Sequence, residues 1–222
     1  MKLLFIGNSA TYVHEIPQTL QRLASEVGYD IEIGQITPGG YELAQHADAA
    51  SPHGQRVLSE IARGYDIVFL QENGNCLSTE QKRSACAEAC ARLIAAIRQS
   101  GARPYFYVRP PYGKDNAGYT ASQQCQLFDQ LFSALSDNNG GIPRVLANRA
   151  YAYAIDNLDL PLWGPDNAHT SPEGAYLIVC TFFATLFGIS ATCLGANGLP
   201  HHVAHTLALA ADSVVLDGQK SD

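Results

Sequence analysis

Short runs of apolar and β-branched residues alternate along the chain with longer stretches whose apolar positions recur every three or four residues. Lys2–Ile6 opens the pattern as a strand, and Ile16–Val27 follows as a helix with Leu20, Leu23 and Val27 along one face. The alternation predicts strands over Asp30–Ile36, Asp66–Leu70, Pro104–Val108 and Pro143–Leu146. Between and after them it predicts helices over Val57–Arg63, Thr79–Gln99, Ala121–Leu135, Pro172–Phe187 and Val203–Val215. Ser78 or Thr79 can cap the third helix, and Gly188 ends the helix that starts at Pro172. Strand followed by helix, five times over, implies right-handed crossovers and a parallel sheet covered on both faces: an α/β fold of three layers, α/β/α. In such sheets ligands bind beyond the carboxyl ends of the strands. The loops of interest therefore begin at Gly7, Thr37, Gln71, Arg109 and Ala147.

Composition narrows the class without changing that picture. The chain has 222 residues, 46% hydrophobic and 16% charged, an ordinary globular balance. A chain of this size buries about 70% of its surface on folding, enough for one full core, and nothing resembling a linker divides it. We therefore expect a single domain over residues 1–222. The net charge of −7, with no local cluster of Lys or Arg, argues against nucleic acid as a partner. No apolar run reaches the ~20 residues of a bilayer span, so no membrane partner is expected. The basic and apolar start ends at Gly7 and Asn8 before a signal-peptide core could form. A cytoplasmic location is the default, secreted or periplasmic if a leader has been removed. Cys76, Cys86, Cys90, Cys125, Cys180 and Cys193 form no dense framework and are expected to be buried reduced thiols. His201 and His205 stand one helical turn apart, but no third ligand or neighbouring Glu completes a metal site. We expect a surface helix start there, and neither metal nor cofactor.

The candidate chemistry sits in the strand-end loops. Ser9 follows the first strand, where free backbone N–H groups at the start of a helix can meet negative charge. Alone it reads equally as a cap or turn serine. Far downstream, Asp166-Asn167-Ala168-His169 spaces an acid three residues before a histidine. In a turn, that spacing lets the carboxylate accept from Nδ1–H and leaves Nε2 free as a base. Gly39 and Gly40 follow the second strand, where a backbone N–H can approach a reacting carbonyl closely. Asn73 follows the third and can add an amide donor; its neighbour Glu72 would oppose a developing oxyanion unless it points away. Each has a plain structural reading, but together they supply the parts of an acyl-transfer site.

The ordered set Gly7-Asn8-Ser9, Gly39-Gly40, Asn73 and Asp166-x-x-His169 resembles the SGNH (GDSL-type) hydrolase superfamily, from Lys2 to about Gly188. Leu43 and His46, with Leu70-Gln71-Glu72, look like a branch of mostly uncharacterised bacterial proteins. The resemblance implies a flavodoxin-like sandwich on a five-stranded parallel sheet. It also implies ester hydrolysis, with Ser9 as nucleophile, His169 as base and Asp166 as its orienting partner. The oxyanion hole would be the Ser9 N–H, a Gly39 or Gly40 N–H and the Asn73 amide. The chain departs from the usual blocks at Asn8, at Ala10, and at Gln71-Glu72-Asn73-Gly74, where Gly is expected before the Asn.

The substrate would be a small-molecule ester, with acetyl groups on carbohydrate the favoured case. Trp163 can wall the site or stack on a sugar, or simply pack its loop; Arg109 can touch substrate or support its own loop. His46 joins them as a candidate substrate contact, while His14 competes as a base and Tyr151 and Tyr153 read as packing residues. Two other classes remain open at this point. One is a catalytically silent carbohydrate-binding relative; the other is a phosphate- or flavin-binding module built on the loop Asn8–Thr11.

Overall fold

Phe5 and Leu3 point one way from the first strand and Leu4 and Ile6 the other, all at most 1% exposed, so the strand is buried on both faces. The computed structural model describes residues 1–217. Its strands are β1 (Lys2–Ile6), β2 (Glu32–Ile36), β3 (Ile67–Leu70), β4 (Arg103–Val108) and β5 (Arg144–Leu146). They form a five-stranded sheet in the order β2-β1-β3-β4-β5, with every pairing parallel. The chain leaves β1 toward one edge and returns at β3 to build toward the other. The switch point, where a crevice opens, thus falls between the carboxyl ends of β1 and β3.

One face packs on α2 (Ile16–Glu26), α7 (Ala147–Asn157), α8 (Pro172–Phe187) and α9 (His201–Asp212). The other packs on α4 (Pro52–Ile61), α5 (Glu80–Gln99) and much of α6 (Ala121–Asn138). The α/β/α sandwich expected from the alternating pattern is therefore observed. Helix α8 is apolar on all sides and is buried continuously from Gly174 to Ala184, as such a helix must be. Its Phe182 meets the rings of Phe5, Phe69 and Tyr107 at 5.5, 5.1 and 4.9 Å between centroids. Each fully buried side chain of this size contributes roughly 1.5–3 kcal/mol, which anchors the segment just before α8 against the sheet.

Several boundaries differ from expectation for local reasons. Helix α4 begins at Pro52, not Val57, because the Ser51 hydroxyl accepts the Gly54 N–H and Pro52 suits the first turn. The run from Ala147, expected as a loop, is helix α7. Its buried face of Ala147, Ala150, Tyr151 and Ala154 has helical spacing, but the small alanines give it little apolar signal and no side chain caps its start. Helix α9 starts at His201, and Ser213–Asp217 continues it as a wider turn. Five cysteines are buried free thiols, but Cys193 is exposed on a short 3₁₀ turn.

Candidate active site

Ser9 opens a four-residue helix, α1 (Ser9–Tyr12), directly after β1. Asn8 caps it: its side chain accepts the Ala10 N–H and its carbonyl accepts the Thr11 N–H. No acceptor for the Ser9 N–H lies among the described residues. The turn is held from below by Gln71 at the end of β3, whose Oε1 accepts from the Asn8 N–H (2.9 Å) and the Thr11 hydroxyl (3.0 Å). Gly7 makes this possible, since a Cβ there would stand 2.5 Å from Gln71 Oε1. The sequence marks Gln71 as the start of a strand-end loop and within the block Leu70-Gln71-Glu72, but nothing in it shows that Gln71 braces the Ser9 turn.

Loop 162–171 brings the imidazole. Trp163 and Thr170 pair as an antiparallel bridge, and the Gly164 N–H donates to the His169 carbonyl at 2.9 Å. Asp166 Oδ1 accepts the N–H groups of Ala168 and His169, both at 3.0 Å, while Oδ2 accepts from His169 Nδ1 at 2.6 Å. These donors, the backbone N–H groups foremost, hold the Asp166 carboxyl well below the usual carboxylate range. With Nδ1 donating, Nε2 is left as an acceptor, and Ser9 Oγ lies 2.9 Å from it. The hydroxyl and the imidazole, 160 positions apart, meet at the switch point. A hydroxyl facing an imidazole oriented by a carboxylate can lose its proton as it attacks an electrophile.

Asn73 lies across the crevice. Its Nδ2 donates to the Gly40 carbonyl at 3.0 Å, and its Oδ1 accepts the Asn75 N–H at 3.0 Å. Those two bonds fix the amide's orientation and leave the second Nδ2 hydrogen over. Gly40 has φ +75°, and a Cβ on Gly39 would be 3.2 Å from the hydroxyl of Tyr12 in α1. The glycine pair therefore sits between the helix that Ser9 opens and Asn73. Glu72 points away: its carboxylate accepts the N–H groups of Leu43 and Asn73 and is 2% exposed. Burial pushes its pKa up to about 7, against the backbone donors, which lower it.

The other candidates divide. Trp163, Arg109, Pro110, Pro111 and Tyr151 line one cleft with Ser9 and His169. Trp163 donates from Nε1 to the Pro111 carbonyl at 3.0 Å and meets Tyr151 edge-on. His46 does not reach the cleft. It is fully buried in α3 (Leu43–His46), where Nε2–H donates to the Gly7 carbonyl at 2.9 Å. Its Nδ1 is then an acceptor, taken by Nε2–H of His53 at 3.0 Å. A histidine flanked by Ala and Gln carries no sequence sign of burial, and its partner lies on another helix. His14, read from the sequence as a competing base, donates instead to the Thr170 carbonyl at 3.0 Å, tying the chain just after α1 to the loop that carries His169. Tyr153 is exposed on α7. Among the described residues no cluster of His, Cys, Asp and Glu could hold a metal, and no helix is long and apolar enough to cross a membrane.

No family model matches the chain, and no curated protein does. Solved structures do. A protein assigned to the SGNH hydrolases, from Slackia heliotrinireducens, superposes with a TM-score of 0.70 at 24% identity, covering 84% of this chain and 98% of its own. A DUF4886 family protein from Bacteroides uniformis gives a TM-score of 0.81 at 16% identity, covering 97% and 95%. The acetylxylan esterase Axe2 from Geobacillus stearothermophilus gives 0.62 at 15% identity, covering 84% and 94%. The fold of this chain is the one these three proteins share.

Proposed function

We propose that this chain is a serine ester hydrolase that removes small acyl groups of the acetyl type, with acylated carbohydrate as the favoured substrate class. One observation carries the reading: Ser9 Oγ lies 2.9 Å from His169 Nε2, and the far side of the same imidazole is held by Asp166. His169 takes the Ser9 proton as Oγ attacks the ester carbonyl. The negative charge that develops on the carbonyl oxygen is received by the Ser9 N–H, a Gly39 or Gly40 N–H and the remaining Asn73 amide hydrogen. Asp166 stays ionised and stabilises the imidazolium. His169 then protonates the departing alkoxide, and water attacks the acyl-enzyme by the same route in reverse. The preference for small acyl groups is supported by the narrow cleft, whose free volume is about 10 Å³, far below a drug-sized pocket. The carbohydrate preference is supported by the neighbouring acetylxylan esterase and by the Trp163 wall.

The test is hydrolysis of p-nitrophenyl esters of increasing acyl length, with a panel of acetylated sugars, by wild type and Ser9→Ala. The expected result is turnover greatest for acetyl and reduced to background in Ser9→Ala. Turnover that survives Ser9→Ala overturns the assignment of the nucleophile; a preference for long chains overturns the small-acyl reading.

A further inference from the structure

Arg109 is 4% exposed, at the carboxyl end of β4, and its charge is unanswered. Of the five N–H groups a guanidinium offers, Nε–H donates to the Pro110 carbonyl at 2.9 Å; the two Nη groups have no acceptor among the described residues. No carboxylate among those residues pairs with it, whereas the other buried acids have partners: Glu72 holds the N–H groups of Leu43 and Asn73, and Asp212 those of Ala191 and the Ser190 hydroxyl. The ionisable groups that feel Arg109 most are Cys76, Tyr107 and Tyr151. Burial raises the pKa of all three, so they stay neutral beside it.

The side chain is nevertheless held in place. Its guanidinium lies 4.0 Å from the Tyr112 ring centroid and 5.9 Å from that of Phe128. It also presses on Gly74, where a Cβ would overlap both Nη1 and the Tyr112 ring. Gly74 directly follows Asn73, and Arg109 lines the cleft that holds Ser9 and His169. A fixed fork of donors without acceptors, on the wall of the cleft that holds Ser9, suits a planar anion.

We propose that Arg109 receives a carboxylate carried by the ester substrate, so that the cleft selects esters of acidic molecules over neutral ones. This rests on the ester-hydrolase reading and sharpens its substrate class. A charge-assisted pair formed in a buried site is expected to favour the acidic ester on the order of 10- to 100-fold in kcat/KM.

The experiment compares matched ester pairs in wild type, Arg109→Lys and Arg109→Met, with folding checked by thermal melting. On the acyl side the pair is 4-nitrophenyl butyrate and mono-4-nitrophenyl glutarate; on the alcohol side it is phenyl acetate and 3-carboxyphenyl acetate. The expected result is a preference for the acid in one pair, reduced in Arg109→Lys and abolished in Arg109→Met. Binding of monomethyl glutarate and of 3-carboxyphenyl acetate to Ser9→Ala, followed by calorimetry, reads the same contact without turnover and needs no Arg109 variant to fold. No preference in either pair together with no binding of either acid overturns the inference, as does a preference that persists in Arg109→Met. Failure of the ester-hydrolase reading looks different, as wild type then hydrolyses neither member of either pair. The calorimetry still decides the carboxylate contact in that case.

Discussion

Replacing Glu72 by Gln tests how the loops around the cleft are held. Two buried groups, Glu72 bonded to the start of α3 and His46 at its end, titrate in opposite senses. Burial raises Glu72 from 4.5 to about 7. The folded protein therefore binds the proton more tightly than the unfolded chain, and the stability this contributes is full below pH 4.5 and is lost as pH rises through 7. His46 is lowered from 6.5 to about 4, chiefly by burial, so its contribution is full above pH 6.5 and is lost as pH falls through 4. Each shift spans about 2.5 units, or about 3 kcal/mol, and across pH 4–7 the two slopes oppose one another. Glutamine keeps an oxygen for the Leu43 and Asn73 N–H groups but does not titrate. The stability of Glu72→Gln relative to wild type should therefore rise by about 3 kcal/mol between pH 4 and pH 8. The variant alone should show the uncompensated acid loss due to His46. Urea unfolding followed by circular dichroism at half-unit pH steps reads this difference. A gap between the two proteins that does not change with pH would refute the reasoning, since it would mean Glu72 ionises alike in the folded and unfolded states.

Three further outcomes follow from the same contacts. Asp166→Asn leaves Ser9 and His169 in place but loses the charge that sets the imidazole tautomer, so kcat should fall on the order of 10⁴-fold in p-nitrophenyl acetate hydrolysis. Asn73→Ala removes one of the proposed oxyanion donors and should lower kcat by roughly 10²–10³-fold with a smaller change in KM. In the native protein a thiol reagent such as dithionitrobenzoate should titrate Cys193 quickly, and the five buried thiols only on unfolding.

The layers and the pairing of Asp166 with His169 could be read in the chain because both are local patterns. The all-apolar β3 and the apolar length of α8 announce a doubly covered sheet, and Asp166 and His169 stand three residues apart in one turn. Their meeting with Ser9 follows from the parallel topology, which gathers the strand ends at one edge. The supporting contacts could not be read, because they depend on pairs far apart in sequence. Gln71 beneath Asn8, the His53–His46–Gly7 chain and the His14–Thr170 strap each join elements that only the fold brings together. The same limit hid the charge environment of Arg109, since an unpaired cation shows itself only once every neighbour is known to be neutral. Helix α7 escaped for a different reason: its buried face is mostly alanine and no side chain caps its start, so little marks it as a helix.

The most direct measurement is covalent labelling of the intact protein with a fluorophosphonate, followed by peptide mass spectrometry. The account predicts a single adduct on Ser9, formed rapidly in wild type and at least a hundred times more slowly in His169→Ala, roughly the share a general base supplies. An unlabelled Ser9, or an adduct rate indifferent to His169, would contradict it.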